Sequence, residues 1–248
     1  MRAVLTAADI PGHNNVGVTR PDETLLAETE ALYHGHMVAL VVGESVAACR
    51  AAAALVQVDY EPLPAVLTVQ EAIAANSFHT EPNTIRRGDV PGALSASERK
   101  LSGTFELGGQ EHFYLETHAA WAEIDGDGNV FIASSTQHPS EIQTIVSEVL
   151  HLPRSRVVVQ APRMGGAFGG KETQGNTWAA LVALAALKTG RPTRVQLDRD
   201  LDIQLTGKRH PFFAQFQVGR RQLACRQHPA VVGLRIDEPV ECGMLLDR

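Results

Sequence analysis

Residues Gly165 to Gly170 place four glycines within six positions, after a β-branched run and shortly before an apolar, alanine-rich one. Backbone this bare of side chains enters left-handed conformations without steric cost and lets peptide N–H groups approach a ligand closely. The stretch Met164-Gly165-Gly166-Ala167-Phe168-Gly169-Gly170-Lys171-Glu172 is therefore read as a strand-to-helix connection with a ligand-facing backbone. Gly165 to Lys171 also fits the first seven positions of the phosphate loop G-x-x-x-x-G-K-[ST]. Glu172, however, stands where that loop needs a magnesium-binding hydroxyl, and it brings a carboxylate towards any bound phosphate. A nucleoside triphosphate is thus a poor fit. On the loop alone, a tight turn without a ligand stays open.

The remaining sequence bounds the function. With 248 residues, 44% of them hydrophobic, and a formal net charge of -6, the chain can build one large or two modest globular domains. Its longest apolar run, Trp178 to Leu187, is shorter than the roughly 20 residues a membrane span requires. No signal-peptide pattern opens the sequence, so a cytoplasmic location with no membrane association is expected. Mild acidity without a basic stripe argues against nucleic acid. Cys49, Cys225 and Cys242 are widely spaced and form no C-x-x-C pair, so they cannot supply four thiolates to an iron–sulfur cluster or a structural zinc. Cys49 reads as a small core residue, and the odd count fits a reducing compartment.

Taken in order, Ala3 to Leu5 predicts a short strand and His36 to Val42 a buried one. Ser45 caps a helix from Val46 to Leu55, and Val56, Val58 and Tyr60 alternate as a further strand, giving a β-α-β unit with parallel strands. Val69 to Ala75 predicts a short helix. Residues 76–97, polar and rich in Pro and Gly, read as a linker between domains, with Arg86-Arg87-Gly88-Asp89 solvated within it. A strand at Lys100 to Leu107 opens the second part. Ala119 to Ile124 and Val130 to Ser134 flank Asp125-Gly126-Asp127-Gly128-Asn129, a hairpin signal. Pro139 starts a helix with an apolar stripe at Ile142, Ile145, Val146, Val149 and Leu150. Arg156 to Gln160 leads as a strand into the glycine loop. A helix from Thr177 to Lys188 stops at Gly190-Arg191-Pro192, and strands follow at Arg194 to Leu197 and Phe212 to Val218. His112 and His118, six residues apart, match no zinc motif. The fold class is α+β, with helices packed on a mixed sheet.

Four stretches together carry a resemblance: Gly108 to His118 (GGQEHFYLETH), Ser135-Thr136-Gln137, Arg163 to Thr173 (RMGGAFGGKET) and Lys208 to Phe212 (KRHPF). In this order they resemble the molybdenum-binding large subunit of the xanthine dehydrogenase family, within the molybdenum hydroxylases. The resemblance covers roughly residues 1–219. It implies a small α/β hammerhead domain over 1–87, the first part of a molybdopterin-binding domain over 88–219 and a divergent tail over 220–248. It also implies a molybdenum–molybdopterin cofactor, with 2Fe-2S clusters and FAD on partner subunits, electrons passing to NAD, and a hetero-oligomer.

The resemblance assigns roles residue by residue. Gln137 matches a glutamine whose amide hydrogen-bonds an oxygen on molybdenum. Gly166, Ala167, Phe168 and Gly169 match a loop whose backbone lies against the metal centre and its pterin, so that Gln137 and Phe168 mark the molybdenum environment without ligating it. Relatives often carry Gly at the position of Ala167, which is harmless where φ is negative. Glu172 matches a glutamate that contacts the purine substrate, tilting the expectation towards hypoxanthine and xanthine rather than aldehydes; read from the residues, it can equally cap the following helix. The family's general-base glutamate, its purine-binding arginine and most pterin contacts fall beyond this sequence. Two alternatives follow: a truncated fragment that does not catalyse alone, or a relative that oxidises aldehydes or other heteroaromatics. Residues 220–248 are expected to be poorly packed and to have arisen from a shifted or truncated reading frame.

Overall fold

The computed structural model of the protein describes residues 1–220 and the backbone of 231–237. Two compact units emerge. One comprises Met1–Leu63 with Glu111–Lys208; the other comprises Pro64–Gln110 with 209–220 and 231–237. The expected boundary near residue 87 falls inside the second unit.

The first unit is built on a four-stranded sheet in the order β6-β5-β4-β7: Val157–Gln160, Val130–Ser134, Ala119–Ile124 and Thr193–Gln196. β4 and β5 form the expected antiparallel hairpin, with Ala120 opposite Ser134 and Ile124 opposite Val130. Asp125 closes it, its Oδ1 accepting from the amides of Asp127 and Asn129 at 3.0 and 2.8 Å. Ala120, Ala122, Val130, Ile132 and Ser134 alternate inward, as a sheet covered on one face demands. Helix α4 (Pro139–Val149) follows β5 and returns the chain to β6, which lies parallel to β5. This β5-α4-β6 unit is the structure's β-α-β motif.

Helix α5 (Gly175–Thr189) lies over β4, β5 and β7 and against α4. Its run from Trp178 to Ala186 is buried on all sides, which explains an apolar stretch without amphipathic period. Each large side chain so buried contributes about 1.5–3 kcal/mol. Gly190 ends the helix in the left-handed conformation at φ 63°, its amide reaching the Ala186 carbonyl at 2.9 Å. A short helix α6 (Arg199–Leu205), capped by Asp198, was not foreseen from the sequence.

Corrections concentrate in residues 36–60. Of the strand expected over His36 to Val42, only β2 (Leu40–Val42) pairs; it runs antiparallel to β1 (Ala3–Leu5) and is half-buried. His36 turns instead into local bonds, with Nε2 2.9 Å from the Thr24 hydroxyl and Nδ1 accepting from the Leu32 amide. Helix α1 (Val46–Ala53) forms with Ser45 as its cap, but Val56, Val58 and Tyr60 belong to no strand and are 42–63% exposed. Alternation makes a strand only where a neighbouring edge accepts its hydrogen bonds, and no described residue provides one here. The parallel pair expected around α1 is therefore not formed. Cys49 is half-buried beside Gly43 rather than in the core.

In the second unit β3 (Arg99–Leu107), β8 (Phe212–Arg220) and β9 (Val231–Asp237) form an antiparallel sheet with β8 central. Helix α2 (Val69–Ala74) starts in a capping box of Thr68 and Glu71 and packs Val69 and Ala72 beside Val66 and Phe213. The segment read as a linker contains helix α3 (Val90–Ser95), nucleated by Asp89, whose Oδ1 accepts from the Gly92 amide at 3.0 Å. β9 lies in the stretch expected to be poorly packed, and its pairing to β8 runs against that expectation. The rest of that stretch, Cys225 and Cys242 included, lies outside the described residues. Among the described residues no helix is long and apolar enough to cross a membrane.

The loop before Asn14 packs closely on α4. The Gly12 amide donates to the Val149 carbonyl at 3.0 Å, and a Cβ at Gly12 would sit 2.0 Å from the Glu148 carbonyl oxygen. Gly12→Ala is expected to lower stability by about 1–3 kcal/mol, as overpacking does. Gly126→Ala, where a Cβ meets open space, should stay within about 0.5 kcal/mol. Urea midpoints of the two variants check this.

Candidate functional site

Three of the sequence motifs converge in the first unit. β5 leaves the sheet at Ser134, the Ser135 amide adds one more bond to the Ala119 carbonyl at 2.9 Å, and Gln137 then meets the glycine loop. The Gln137 amide donates to the Lys171 carbonyl at 2.9 Å, and the Lys171 amide donates to Gln137 Oε1 at 3.2 Å. Because a peptide N–H can only donate, this contact fixes which end of the side-chain amide faces the loop. Nε2 of Gln137 is left with two N–H donors and no acceptor among the described residues.

Beneath this contact lies a charge. Lys171 is fully buried, and Nζ donates to the Glu116 carbonyl at 2.7 Å, Ser135 Oγ at 2.8 Å and Glu116 Oε2 at 3.2 Å, above the Tyr114 ring. Glu116 Oε2 also accepts from Ser135 Oγ at 2.7 Å and from the Gly165 amide at 2.8 Å. Burial pushes the Lys171 ammonium below its ordinary pKa, while the hydrogen bond and charge of Glu116 pull it back up. Burial likewise opposes ionisation of Glu116, but the Gly165, Ser135 and Lys171 contacts prevail and hold its carboxyl below the ordinary value. A lysine committed in this way does not reach a phosphate, so the phosphate-loop reading has no geometric support.

The loop itself departs from ordinary backbone at Gly166 (φ 98°), Phe168 (φ 55°) and Gly169 (φ 90°). Ala167 is not among the positive-φ residues and its methyl is buried, so alanine fits there without strain. Gly170 is packed so closely that a Cβ would lie 2.8 Å from the rings of His112 and Tyr114; at Gly165 it would lie 2.6 Å from Glu116 Cβ. The amides of Gly166, Ala167, Phe168 and Gly169 find no acceptor among the described residues, whereas those of Gly165, Gly170 and Lys171 are all bonded. Phe168 carries an exposed ring on a left-handed backbone, a conformation bulky residues rarely hold without surrounding support. Glu172 is exposed and makes no hydrogen bond or ion pair with the described residues. α5 begins three residues later without a side-chain cap, so Glu172 does not cap it by hydrogen bonding.

A second buried cluster stands behind the loop and was not singled out from sequence. Tyr114 donates to Asp202 Oδ1 at 2.6 Å, the His118 amide donates to Asp202 Oδ2 at 2.6 Å, and His118 Nδ1 lies 2.8 Å from the Tyr114 hydroxyl. Burial opposes ionisation of Asp202, but the bonds from His118 and Tyr114 outweigh it and take the pKa down to about 2. Burial pushes His118 below its ordinary value, against the pull of Asp202, and raises the Tyr114 hydroxyl. Arg199 Nη2 ties α6 to the carbonyls of Tyr114 and Leu115 at 2.8 and 2.6 Å. Glu116 and His118 sit inside a motif visible in the sequence, and Asp198 with its cap of Leu201 would have announced α6.

N–H donors without acceptors among the described residues, carried on a glycine-rich loop, suit an acceptor-rich ligand such as an oxo-metal centre or a pterin phosphate. The fold is that of the molybdenum-dependent oxidoreductases. The aldehyde oxidoreductase of Desulfovibrio gigas superposes with a TM-score of 0.76 at 28% identity, covering 88% of this chain and 26% of that one. Quinoline 2-oxidoreductase from Pseudomonas putida 86 gives 0.74 at 25% identity over 88% of this chain and 30% of its own. In sequence, residues 71–226 match the molybdopterin cofactor-binding domain, and residues 1–64 match the aldehyde oxidase and xanthine dehydrogenase a/b hammerhead domain. Xanthine dehydrogenase/oxidase of Mus musculus is 44% identical over 216 residues, 87% of this chain and 16% of that protein. The Felis catus counterpart is 39% identical over 244 residues, 98% of this chain and 18% of its own length, so that alignment continues past Gly219. The chain belongs to the xanthine oxidase family of molybdenum hydroxylases, and it spans about a sixth of the length of the mouse relative.

The Asp202 cluster makes acid stability a test of the scaffold behind the loop. A carboxyl whose folded pKa lies below its unfolded value near 3.8 stabilises the fold above pH 3.8, and that contribution is lost as pH falls towards 2. The shift corresponds to about 2 kcal/mol. Asp202→Asn should flatten the fall in urea midpoint between pH 5 and pH 2.5 relative to the parent chain.

Proposed function

We propose that this chain forms the cofactor-facing part of a molybdenum hydroxylase that oxidises purines of the hypoxanthine and xanthine class. The observation that carries the reading is a group of donors without acceptors among the described residues: Gln137 Nε2, whose Oε1 is tied to the Lys171 amide, and the amides of Gly166 to Gly169 in the loop that Lys171 ends. When bound, the molybdenum–molybdopterin group supplies two-electron oxidation of a ring C–H, with water as the oxygen source. Towards that group, Gln137 donates through Nε2, and the loop amides donate from Gly166, Ala167, Phe168 and Gly169. Phe168 belongs to the same molybdenum environment without ligating the metal.

Glu172 is the residue we assign to substrate. Its carboxylate is exposed, without a partner among the described residues, and two residues from the close-packed Gly170, so it is available to accept hydrogen bonds from purine N–H groups. Such a contact strengthens as charge develops on the ring. The name shared by the mouse and cat relatives supports a purine substrate, whereas the aldehyde and quinoline oxidoreductases at 28% and 25% identity represent the competing substrate classes. Electrons leave through 2Fe-2S clusters and FAD on partner subunits to NAD, in a hetero-oligomer. Residues 1–219 offer no counterpart of the family's general base or of most of its pterin contacts, so the reading assigns those roles to other parts of the assembly.

The test is molybdenum and pterin content, together with xanthine-dependent NAD reduction, in the assembly of this chain with the iron–sulfur, FAD and remaining cofactor-binding parts. Stoichiometric molybdenum and purine turnover are expected. Glu172→Ala should lower kcat/KM for hypoxanthine by about 10²–10³, the scale of one lost transition-state hydrogen bond in a dry site. Turnover of aldehydes but not purines by the parent assembly would replace the purine assignment.

A further inference from the structure

A buried lysine is costly, because its ammonium leaves water for a medium of low polarity and is tolerated only when paired and fully hydrogen-bonded. Lys171 meets both conditions through a particular set of partners. Its three N–H donors go to the Glu116 carbonyl, Ser135 Oγ and Glu116 Oε2. Its peptide group takes up Gln137 at both ends, accepting from the Gln137 amide and donating to the Gln137 side chain. Thr136 Oγ1 adds a bond to the same carbonyl at 3.3 Å. The β5 exit and the glycine loop are thereby cross-linked through one residue, at Ser135 by the side chain and at Gln137 by the main chain.

Glu116 extends the link to the far end of the loop. Its Oε2 accepts the Gly165 amide while Gly165 returns its carbonyl to the Glu116 amide at 3.1 Å. The four amides from Gly166 to Gly169, without acceptors among the described residues, therefore hang between two fixed points, Gly165 on Glu116 and Lys171 on Gln137. Neither point is held by α5 or by the sheet ladder.

We propose that Lys171, acting through Glu116 and Ser135, is a positioning residue that orients the Gln137 side-chain amide and tensions the loop. It is distinct from the residues assigned to contact cofactor or substrate, and it makes its own contribution through them. The consequence for a bound metal centre rests on the function proposed above; the positioning itself does not.

The experiment follows individual amides in the 248-residue chain by nuclear magnetic resonance and hydrogen exchange, in Lys171→Met, Ser135→Ala and Ser135→Thr. In the parent, the Gly165 and Lys171 amides are expected to be protected although the loop is exposed, and the Gln137 side-chain resonances to be shifted from those of a solvated glutamine. Lys171→Met should lower protection at both amides by roughly tenfold or more, as loss of a charge-assisted hydrogen bond predicts, and move the Gln137 resonances to the solvated position. Protection in α5 and in the β4–β5 ladder should stay unchanged. Ser135→Ala should reproduce the loss of protection in weaker form, and Ser135→Thr, which keeps the hydroxyl, should retain the parent's protection.

Unchanged Gly165, Lys171 and Gln137 signals in Lys171→Met would overturn the proposal. So would an equal loss of protection across α5 and the sheet, which marks a lysine needed only for folding. If Lys171→Met does not fold, the Ser135 pair decides on the same criteria. Molybdenum content of the assembly with the iron–sulfur, FAD and remaining cofactor-binding parts, measured in parallel, separates the two readings: the predicted exchange pattern beside an assembly that never acquires molybdenum sustains the positioning role while removing the proposed cofactor.

Discussion

The ammonium of Lys171, sealed from water between Glu116, Ser135 and the Tyr114 ring, is the interaction on which the geometry of the site depends. An ion pair in such a place adds little net stability, because desolvation offsets most of its Coulombic gain. It adds specificity instead. A charge with three donors and a carboxylate with one crowded oxygen accept few arrangements of their neighbours, and those neighbours are the first residue of the glycine loop, the end of β5 and the carbonyl of Glu116. An apolar residue of the same volume would fill the space without dictating where Gly165 or Ser135 must lie.

The site also shows a separation of tasks. Apolar packing of α5 against β4 and β5 supplies bulk stability and requires no polar atom near the loop. Polar clusters then sit at the boundary of this core. One, built on Lys171, faces the loop; the other, built on Asp202, binds Tyr114 and His118 in the preceding segment. Because Tyr114 touches both, packing against Gly170 and bonding Asp202, the segment from Glu111 to His118 serves as the back wall of the loop rather than as a set of metal ligands. The histidines of that segment match no zinc motif in the sequence. In three dimensions His118 is turned into a buried hydrogen-bond network.

The legible parts of the sequence were those governed by local chemistry. The hairpin was set by Asp125 to Asn129, α4 by Pro139 and its stripe, and the end of α5 by Gly190, and all three lie where those signals put them. Val56 to Tyr60 was misread because alternation records only a preference for an extended chain; a strand also needs an edge, which is a tertiary fact. The β-α-β unit was assigned to the wrong segment for the same reason. Motif resemblance singles out Gln137 and the loop, whereas Lys171 enters the sequence reading only through the phosphate loop it partly imitates. Its partners lie 36 and 55 residues away in sequence, and no spacing rule connects them.

The strain in the loop follows from this arrangement. A non-glycine residue at φ 55° is disfavoured by roughly 1–3 kcal/mol and persists only where its surroundings over-determine it. Phe168 is flanked by Gly166 and Gly169, whose own positive φ values continue the reversal, and the whole turn is clamped at Gly165 and Lys171. Left to itself, a loop with four glycines in six residues would sample many conformations, and its amides would be solvated in each. Clamping both ends restricts that freedom before any ligand arrives, so the ordering cost is met in folding rather than in binding. That is how a backbone without side chains could serve the site proposed above: its flexibility is removed at one end by Glu116 and at the other by Gln137.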